Sequence, residues 1–246
     1  MNIALQLYSI KEEEEENYEG AVEMAARAGY NSVEFAGYFG YDPASMKRLL
    51  SKYGLTAVSS HIGIDRFRNN FEEELEYAVK VGYGMIVCPW LDCNSPEEIK
   101  ADGAVLEKCA LLAAEKGIKV GYHNHNQEFN KFEGKYALDI LLESAPSVML
   151  EPDLFWIAYA GVDPVGYIEP YAREGRICAI HAKEISENLK DNVYIGEGVI
   201  DFKAVDELVD HRKIPYIVEQ EEYTTDHFDG ISKSCQGLKK VLCVIS

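Results

Sequence analysis

Residues 177–183 read Ile-Cys-Ala-Ile-His-Ala-Lys, an apolar run that ends in a histidine and a lysine two positions apart. A short continuous apolar run is the pattern of a strand covered on both faces, as in a parallel sheet flanked by helices. Charge at the end of such a strand is costly unless it is paired, hydrated or bound to metal. The same gradient recurs in three other segments. Val148-Met149-Leu150 leads into Glu151 and Asp153, and Ile217-Val218 into Glu219, Gln220 and Glu221. The segment from Lys119 leads into His123, Asn124, His125 and Asn126. Strands that start apolar and finish charged point to a parallel barrel, whose active site lies at the C-terminal ends of its strands.

Outward from these segments the chain repeats one unit: a short apolar run, a turn, and a longer run of helical period. Strands are expected near Ile3–Tyr8, Ser32–Ala36, Thr56–His61, Met85–Trp90, Lys119–Asn124, Val148–Asp153, Ile177–Lys183 and Tyr216–Glu221. Helices are expected near Tyr18–Ala28, Ala44–Tyr53, Phe71–Val81, Pro96–Lys116, Tyr136–Glu143, Pro164–Glu174, Phe202–His211 and Gly230–Leu242. Gly54 and Gly117 suit the left-handed position that ends a helix. Strands alternating with helices pair in parallel. Eight units in 246 residues match the ~250 residues typical of a one-domain barrel. A doubly wound open sheet is the alternative, but no Gly-x-Gly-x-x-Gly follows the first strand. The expected fold is α/β, a single (β/α)₈ TIM barrel domain over residues 1–246.

Hydrophobic residues make up 47% of the chain, ample for one continuous core. The 42 Asp and Glu against 24 Lys and Arg give a formal charge of −18, a field that repels nucleic-acid phosphates. No apolar run approaches the ~18 residues of a membrane span, and Met1 to Ile10 reads as a strand, not a targeting segment. The six cysteines form no Cys-x-x-Cys pair, which fits reduced thiols and a cytoplasmic location.

Side chains alternate faces along a strand. That groups His123 with His125, Glu151 with Asp153, His181 with Lys183 and Glu219 with Glu221. A lone histidine at a strand end is more often a hydrogen-bonded core residue than a ligand. Convergence on neighbouring strands favours a metal site instead, and a mixed His, Asp and Glu set suits Mn²⁺, Co²⁺, Zn²⁺ or Mg²⁺. Glu34 and Glu184 read equally well as ion-pair partners. Glu12–Glu16 reads as the solvated first turn of the first helix, where carboxylates oppose the helix dipole. Residues 196–198 read as a turn that delivers Asp201 as a helix N-cap. Tyr8, Phe35, Tyr38, Trp90, Phe155 and Trp156 either offer flat apolar faces to a ligand or pack the barrel rim.

In order along the chain stand Ala4-Leu5-Gln6-Leu7-Tyr8-Ser9, Gly121-Tyr122-His123-Asn124-His125, Glu128-Phe129 and Asp153-Leu154-Phe155-Trp156. Gly161-Val162-Asp163-Pro164, His181-Ala182-Lys183-Glu184, Gly196 to Phe202 and Val218-Glu219-Gln220-Glu221 follow. Together they resemble the xylose-isomerase-like TIM barrel superfamily of sugar phosphate isomerase and epimerase-type proteins, in a His-Asn-His branch. The resemblance implies one divalent metal held from strands five to eight by His123, Asp153, His181 and Glu219. Mn²⁺ is the first choice, with Co²⁺, Mg²⁺ and Zn²⁺ as alternatives. Sugar 3-epimerases of the family carry Glu at the strand-five position, where it also moves a proton. His123 departs from that pattern, and Glu128 or His125 stands near enough in sequence to replace the missing ligand or base. Lys183 and Glu184 match a family Lys-Asp pair with Glu for Asp.

The implied activity is metal-dependent isomerisation or epimerisation of a small sugar or keto-sugar, by proton transfer through a metal-stabilised enediolate. Glu219 is the first choice of base, His123 or Glu128 its partner, and Lys183 steadies the developing oxyanion. Gln6, Glu34, His61, Trp90, His125, Trp156 and Glu221 are the expected substrate contacts. The alternative is a metal-dependent lyase on the same barrel, an inosose-type dehydratase or a 3-keto-glycoside lyase, motivated by His123. An endonuclease of the superfamily would need a basic DNA surface, which the charge of −18 opposes. A non-catalytic sugar-binding barrel would leave the metal positions splayed apart. No Arg or Lys cluster marks the ends of strands seven and eight, so the expected partner is an unphosphorylated sugar or polyol. Nucleic acid and membrane are not expected partners, and a homo-oligomer is the family's habit.

Overall fold

The computed structural model describes residues 2–243. Met1 and residues 244–246, which the single-domain expectation includes, lie outside the described residues. Eight strands form the barrel: β1 (Ile3–Gln6), β2 (Ser32–Phe35), β3 (Thr56–His61), β4 (Met85–Cys88), β5 (Lys119–His123), β6 (Met149–Glu151), β7 (Ile180–Ala182) and β8 (Tyr216–Val218). They pair in parallel in the order β6-β5-β4-β3-β2-β1-β8-β7. Single bridges, Leu150 to Ile177 and Asp153 to His181, join β6 to β7 and close the ring. At that seam the His181 N–H donates to the Pro152 carbonyl at 3.0 Å.

Strands are shorter than the apolar runs that announce them. Tyr8 stands in a 3₁₀ turn, Leu7–Ile10, and Trp90 and Glu219 to Glu221 stand on irregular backbone past the strand ends. The backbone leaves the sheet there to turn into the following helix, and that places these side chains on the rim. The helices are α1 (Lys11–Arg27), α2 (Pro43–Lys52), α3 (Ile64–Asn69), α4 (Phe71–Val81), α5 (Pro96–Ala114), α6 (Ala137–Ser144), α7 (Leu154–Tyr159), α8 (Pro164–Arg173), α9 (Phe202–Val209) and α10 (His227–Val241). Helices α3 and α7 were not expected, because six residues are too few to carry a helical period. Helices α2, α5 and α8 start on a side-chain cap, Asp42, Ser95 or Asp163, with proline just inside. Asp201 caps α9 as expected, accepting the Ala204 N–H at 3.0 Å.

The glutamate run departs from its expected reading. Helix α1 is interrupted at Asn17 (φ −157°, ψ 88°), whose side chain accepts the Gly20 N–H at 3.2 Å and so caps the helix foreseen from Tyr18. Glu12, Glu15 and Glu16 are exposed on the turn before it, but Glu14 is buried. Its Oε1 has no hydrogen-bond partner among the described residues, and burial pushes its carboxyl up to about 8.

Inside the barrel, Ala4, Val58, Met85, Val87, Cys178, Ala179 and Ile217 form a small apolar plug. Gly121 belongs to the same packing: a side-chain carbon there would meet Val87 at 3.1 Å and Cys178 at 3.2 Å. The larger apolar belt lies between strands and helices. No helix among the described residues is long and apolar enough to cross a membrane.

Candidate metal centre

Four side chains from consecutive strands meet above the plug. His123 ends β5, Asp153 lies just past β6, His181 is central in β7, and Glu219 follows β8. All four are buried, and one ligand-capable atom from each lies within 4.8 Å of the others. His181 Nδ1 is 3.6 Å from Glu219 Oε2 and 3.8 Å from Asp153 Oδ2. Both distances are too long for hydrogen bonds. His123 Nδ1, Asp153 Oδ2 and His181 Nδ1 have no hydrogen-bond partner among the described residues. Buried polar atoms are ordinarily paired. Three unpaired ones in a single His and carboxylate group fit a divalent cation that accepts nitrogen and oxygen ligands.

Each of these side chains is aimed by a second contact. Asp153 caps α7: its Oδ1 accepts the Trp156 N–H at 2.9 Å, which leaves Oδ2 for the cluster. The Asn124 side chain accepts the Asp153 N–H at 3.1 Å and holds that backbone in place. His181 Nε2 lies 2.8 Å from Glu34 Oε1. With the proton on Nε2, Nδ1 carries the lone pair that a metal takes. Glu219 Oε2 is 3.3 Å from the Lys183 ammonium, which also pairs with Glu221 and lies 4.8 Å from the Trp156 ring centre. Burial alone would raise the Glu219 carboxyl, but Lys183 and His181 outweigh it and hold the group well below the usual carboxylate range. Burial raises Asp153 to about 7. Burial and the neighbouring His181 hold His123 well below the usual imidazole value, and burial takes His125 down to about 4.

A second layer supports this one from below. His61 Nε2 bridges two fully buried carboxylates, 2.8 Å from Glu151 Oε2 and 3.0 Å from Glu34 Oε1. Glu34 also accepts from Gln6 at 2.7 Å and from Ser59 at 2.5 Å. Burial alone would lower His61, but Glu34 and Glu151 raise it to about 9. His61, His123, Glu151 and His181 also satisfy the spacing of a ligand group, sharing His123 and His181 with the first. Glu34 and Glu151 thus flank His61 and His181, while the buried Lys183 pairs with Glu219 and Glu221.

Above the cluster opens a cleft of about 620 Å³. His61, His123, His125, Trp156, Glu219 and Glu221 line its inner part, Tyr8 and Trp90 its outer part, and no Arg or Lys is among the lining residues. Of the substrate contacts expected from sequence, Gln6 and Glu34 do not line it. Both are fully buried in the supporting layer, since the strands place their side chains below the mouth. Glu128, the fallback ligand, is turned elsewhere: it accepts the Tyr122 hydroxyl at 2.5 Å and the His125 N–H at 2.9 Å, and so braces the loop after β5. Glu184 is a loop clamp, accepting N–H groups from Ile185, Gly196 and Ile200. Sequence reading groups Glu151 with Asp153 at the strand ends without a separate role for it, and assigns no role to Asn124. Alternation with Asp153 is a signal for Glu151, whereas nothing local marks Asn124 as the clamp on Asp153.

Eight parallel strands closed into a ring, with a mixed His and carboxylate group at their C-terminal ends, define a (β/α)₈ barrel with a candidate metal site. The profile of the xylose isomerase-like TIM barrel family matches residues 22–241, and the chain belongs to that family. Over 199 residues it is 30% identical to the inosose dehydratase of Geobacillus kaustophilus (strain HTA426), a match covering 68% of this chain. The chain spans 62% of the length of that curated relative. In fold it is similar to a sugar phosphate isomerase/epimerase from Parabacteroides distasonis ATCC 8503, with TM-score 0.83, 22% identity, and coverage of 99% of this chain and 94% of that one. It is also similar to the IOLI protein, whose structure holds a zinc atom, with TM-score 0.76, 15% identity and 98% coverage of both chains.

Proposed function

We propose that this protein is a metal-dependent enzyme that moves a proton on a small uncharged sugar or polyol, as an isomerase or epimerase. The observation that carries this reading is the set of unpaired His123, Asp153 and His181 atoms, gathered with Glu219 at the floor of the cleft. These four side chains would hold the ion. When bound, a divalent cation supplies the Lewis acidity that makes a C–H next to a carbonyl acidic. Mn²⁺ is our first choice, and the zinc in the IOLI structure supports Zn²⁺ as the alternative.

Glu219 is the base of this proposal: it lines the cleft and is held ionised by Lys183. His125, a cleft-lining imidazole kept neutral by burial, stands ready to carry the second proton in place of the strand-five carboxylate. Lys183 balances charge beside Glu219 and Glu221. A cleft lined without Arg or Lys supports an uncharged substrate over a phosphorylated one. Six unpaired cysteines, five of them buried, support a reducing, cytoplasmic setting.

The second reading is a lyase, favoured by the 30% identity to an inosose dehydratase and by His123 at the strand-five position. Both reactions begin with removal of the same kind of proton. The test is incubation of the Mn²⁺-loaded protein with keto-sugars, inososes and 3-keto-glycosides in D₂O, followed by NMR. Deuterium entering the carbon beside the carbonyl, with the skeleton intact, is the expected result. Loss of water or aglycone moves the assignment to a lyase, and no exchange with any compound overturns the proton-transfer reading.

A further inference from the structure

The cleft is larger than its catalytic floor requires. About 620 Å³ falls well inside the range of roughly 300–1,000 Å³ for sites that enclose drug-sized ligands, more room than a single sugar ring fills. Its two halves differ in chemistry. The buried floor is polar, with His123 and Glu219, and His125 and Trp156 stand half-buried beside it. The outer half is walled by Pro89, Trp90 and Tyr8. Trp90 is 49% exposed and Tyr8 44% exposed, and both open onto one continuous cleft.

Each of these two rings has a polar or charged neighbour. The Trp90 indole N–H donates to Asp92 at 3.3 Å, and the ring meets His125 at a steep angle, 65°, with centres 4.9 Å apart. The Lys11 ammonium lies 4.7 Å from the Tyr8 ring centre. An aromatic face such as that of Trp90, with polar groups near its edge, suits a sugar ring, which presents C–H groups on one face and hydroxyls around its rim. Asn126 and Glu221 supply such polar groups within the cleft.

We infer that the outer half is a subsite for a second pyranose ring, so that the substrate is a glycoside, with one sugar on the metal floor and the next against Trp90. The inference rests on the proposed sugar-directed function of the same site, and it adds the substrate's size and linkage to that reading.

The test is calorimetric titration of the Mn²⁺-loaded protein with glucose, phenyl β-glucoside and a set of glucose disaccharides covering the α and β linkages. At least one disaccharide should bind about two- to tenfold more tightly than glucose, the scale of one ring contact. Trp90→Ala should abolish that gain and Trp90→Phe should keep it, with Mn²⁺ affinity and melting temperature the same in both variants. Disaccharides no tighter than glucose, or a gain that survives Trp90→Ala, would overturn the subsite while leaving the metal-site reading intact. A gain with phenyl β-glucoside alone replaces the sugar with an aromatic aglycone and overturns the second-ring assignment. A protein that binds neither Mn²⁺ nor any sugar loses the functional reading and the subsite together.

Discussion

At the scale of single residues, Asp153 does two jobs with two oxygens: one caps α7 and the other faces the metal cluster. The two jobs separate by mutation. Asp153→Ala should lose most Mn²⁺ binding and also cost about 1 kcal/mol of stability through the lost cap. Asp153→Asn keeps an oxygen for the cap, so it should melt near the parent while still binding Mn²⁺ weakly. Melting curves with and without metal check both, and full metal occupancy in either variant would remove Asp153 from the ligand set. Glu219→Gln keeps shape and a neutral oxygen but is a very poor base. Metal affinity should fall on the order of tenfold, and turnover and proton exchange by roughly 10²–10⁴. Exchange per bound metal that survives in this variant would make Glu219 a ligand only. Asp153, His181 and Glu219 drew attention in the sequence because polar groups interrupt apolar strands at their ends, and the family resemblance singled them out from Glu151, Lys183 and Glu221. Gln6 and Glu34 were placed one layer too high, because a strand pattern tells which face a side chain takes and not how deep in the barrel it lies.

At the scale of elements, the turn before Asn17 is where local reading failed. Five consecutive glutamates look solvated, yet the break at Asn17 reorients the turn so that Glu14 faces inward. Its carboxyl is raised to about 8 by burial, from an ordinary unfolded value of about 4.3. Between those values the unfolded chain is ionised while the folded one holds the proton, so folding loses stability as pH rises through that window and loses none below it. Keeping that proton on costs the fold about 1.4 kcal/mol for each pH unit climbed within the window. Glu14→Gln should therefore raise the melting temperature near pH 8 and leave it unchanged near pH 4. Equal gains at both pH values would mean that the carboxyl is not the source. Helix α7 escaped prediction for another reason: its six residues follow Asp153 directly, and the only local signal was a capping residue before an apolar run.

At the scale of the molecule, four carboxylates, Glu34, Glu151, Asp153 and Glu219, are buried in two layers at the C-terminal ends of the barrel strands. Like charges held together in a fold oppose folding unless a cation joins them. Mn²⁺ at 100 times its dissociation constant should add about 2.7 kcal/mol. For a domain of this length that is a rise on the order of 5–10 °C in melting temperature. EDTA should reverse it. Protons compete for imidazole and carboxylate ligands, so the gain should shrink from about pH 8 to about pH 6. A melting temperature indifferent to Mn²⁺, Co²⁺, Mg²⁺ and Zn²⁺ would sink the metal centre.

The alternation of apolar runs and helical periods pointed to the barrel, because eight strand-and-helix units in this length, with no glycine fingerprint after the first strand, favour closure over an open sheet, and the strands do form that ring. The strand-end polarity was enough to group His123 with His125, Glu151 with Asp153, His181 with Lys183 and Glu219 with Glu221, and the family resemblance picked His123, Asp153, His181 and Glu219 from those pairs. Tertiary structure decided the rest. Whether His123 or Glu128 joins the cluster depends on the path of the loop after β5, which Tyr122 and the His125 N–H set by holding Glu128. Which nitrogen of His181 faces the ligands depends on Glu34, 147 positions away in the chain. Partners so distant in sequence leave no periodic trace, and only closure of the ring brings them within hydrogen-bond reach.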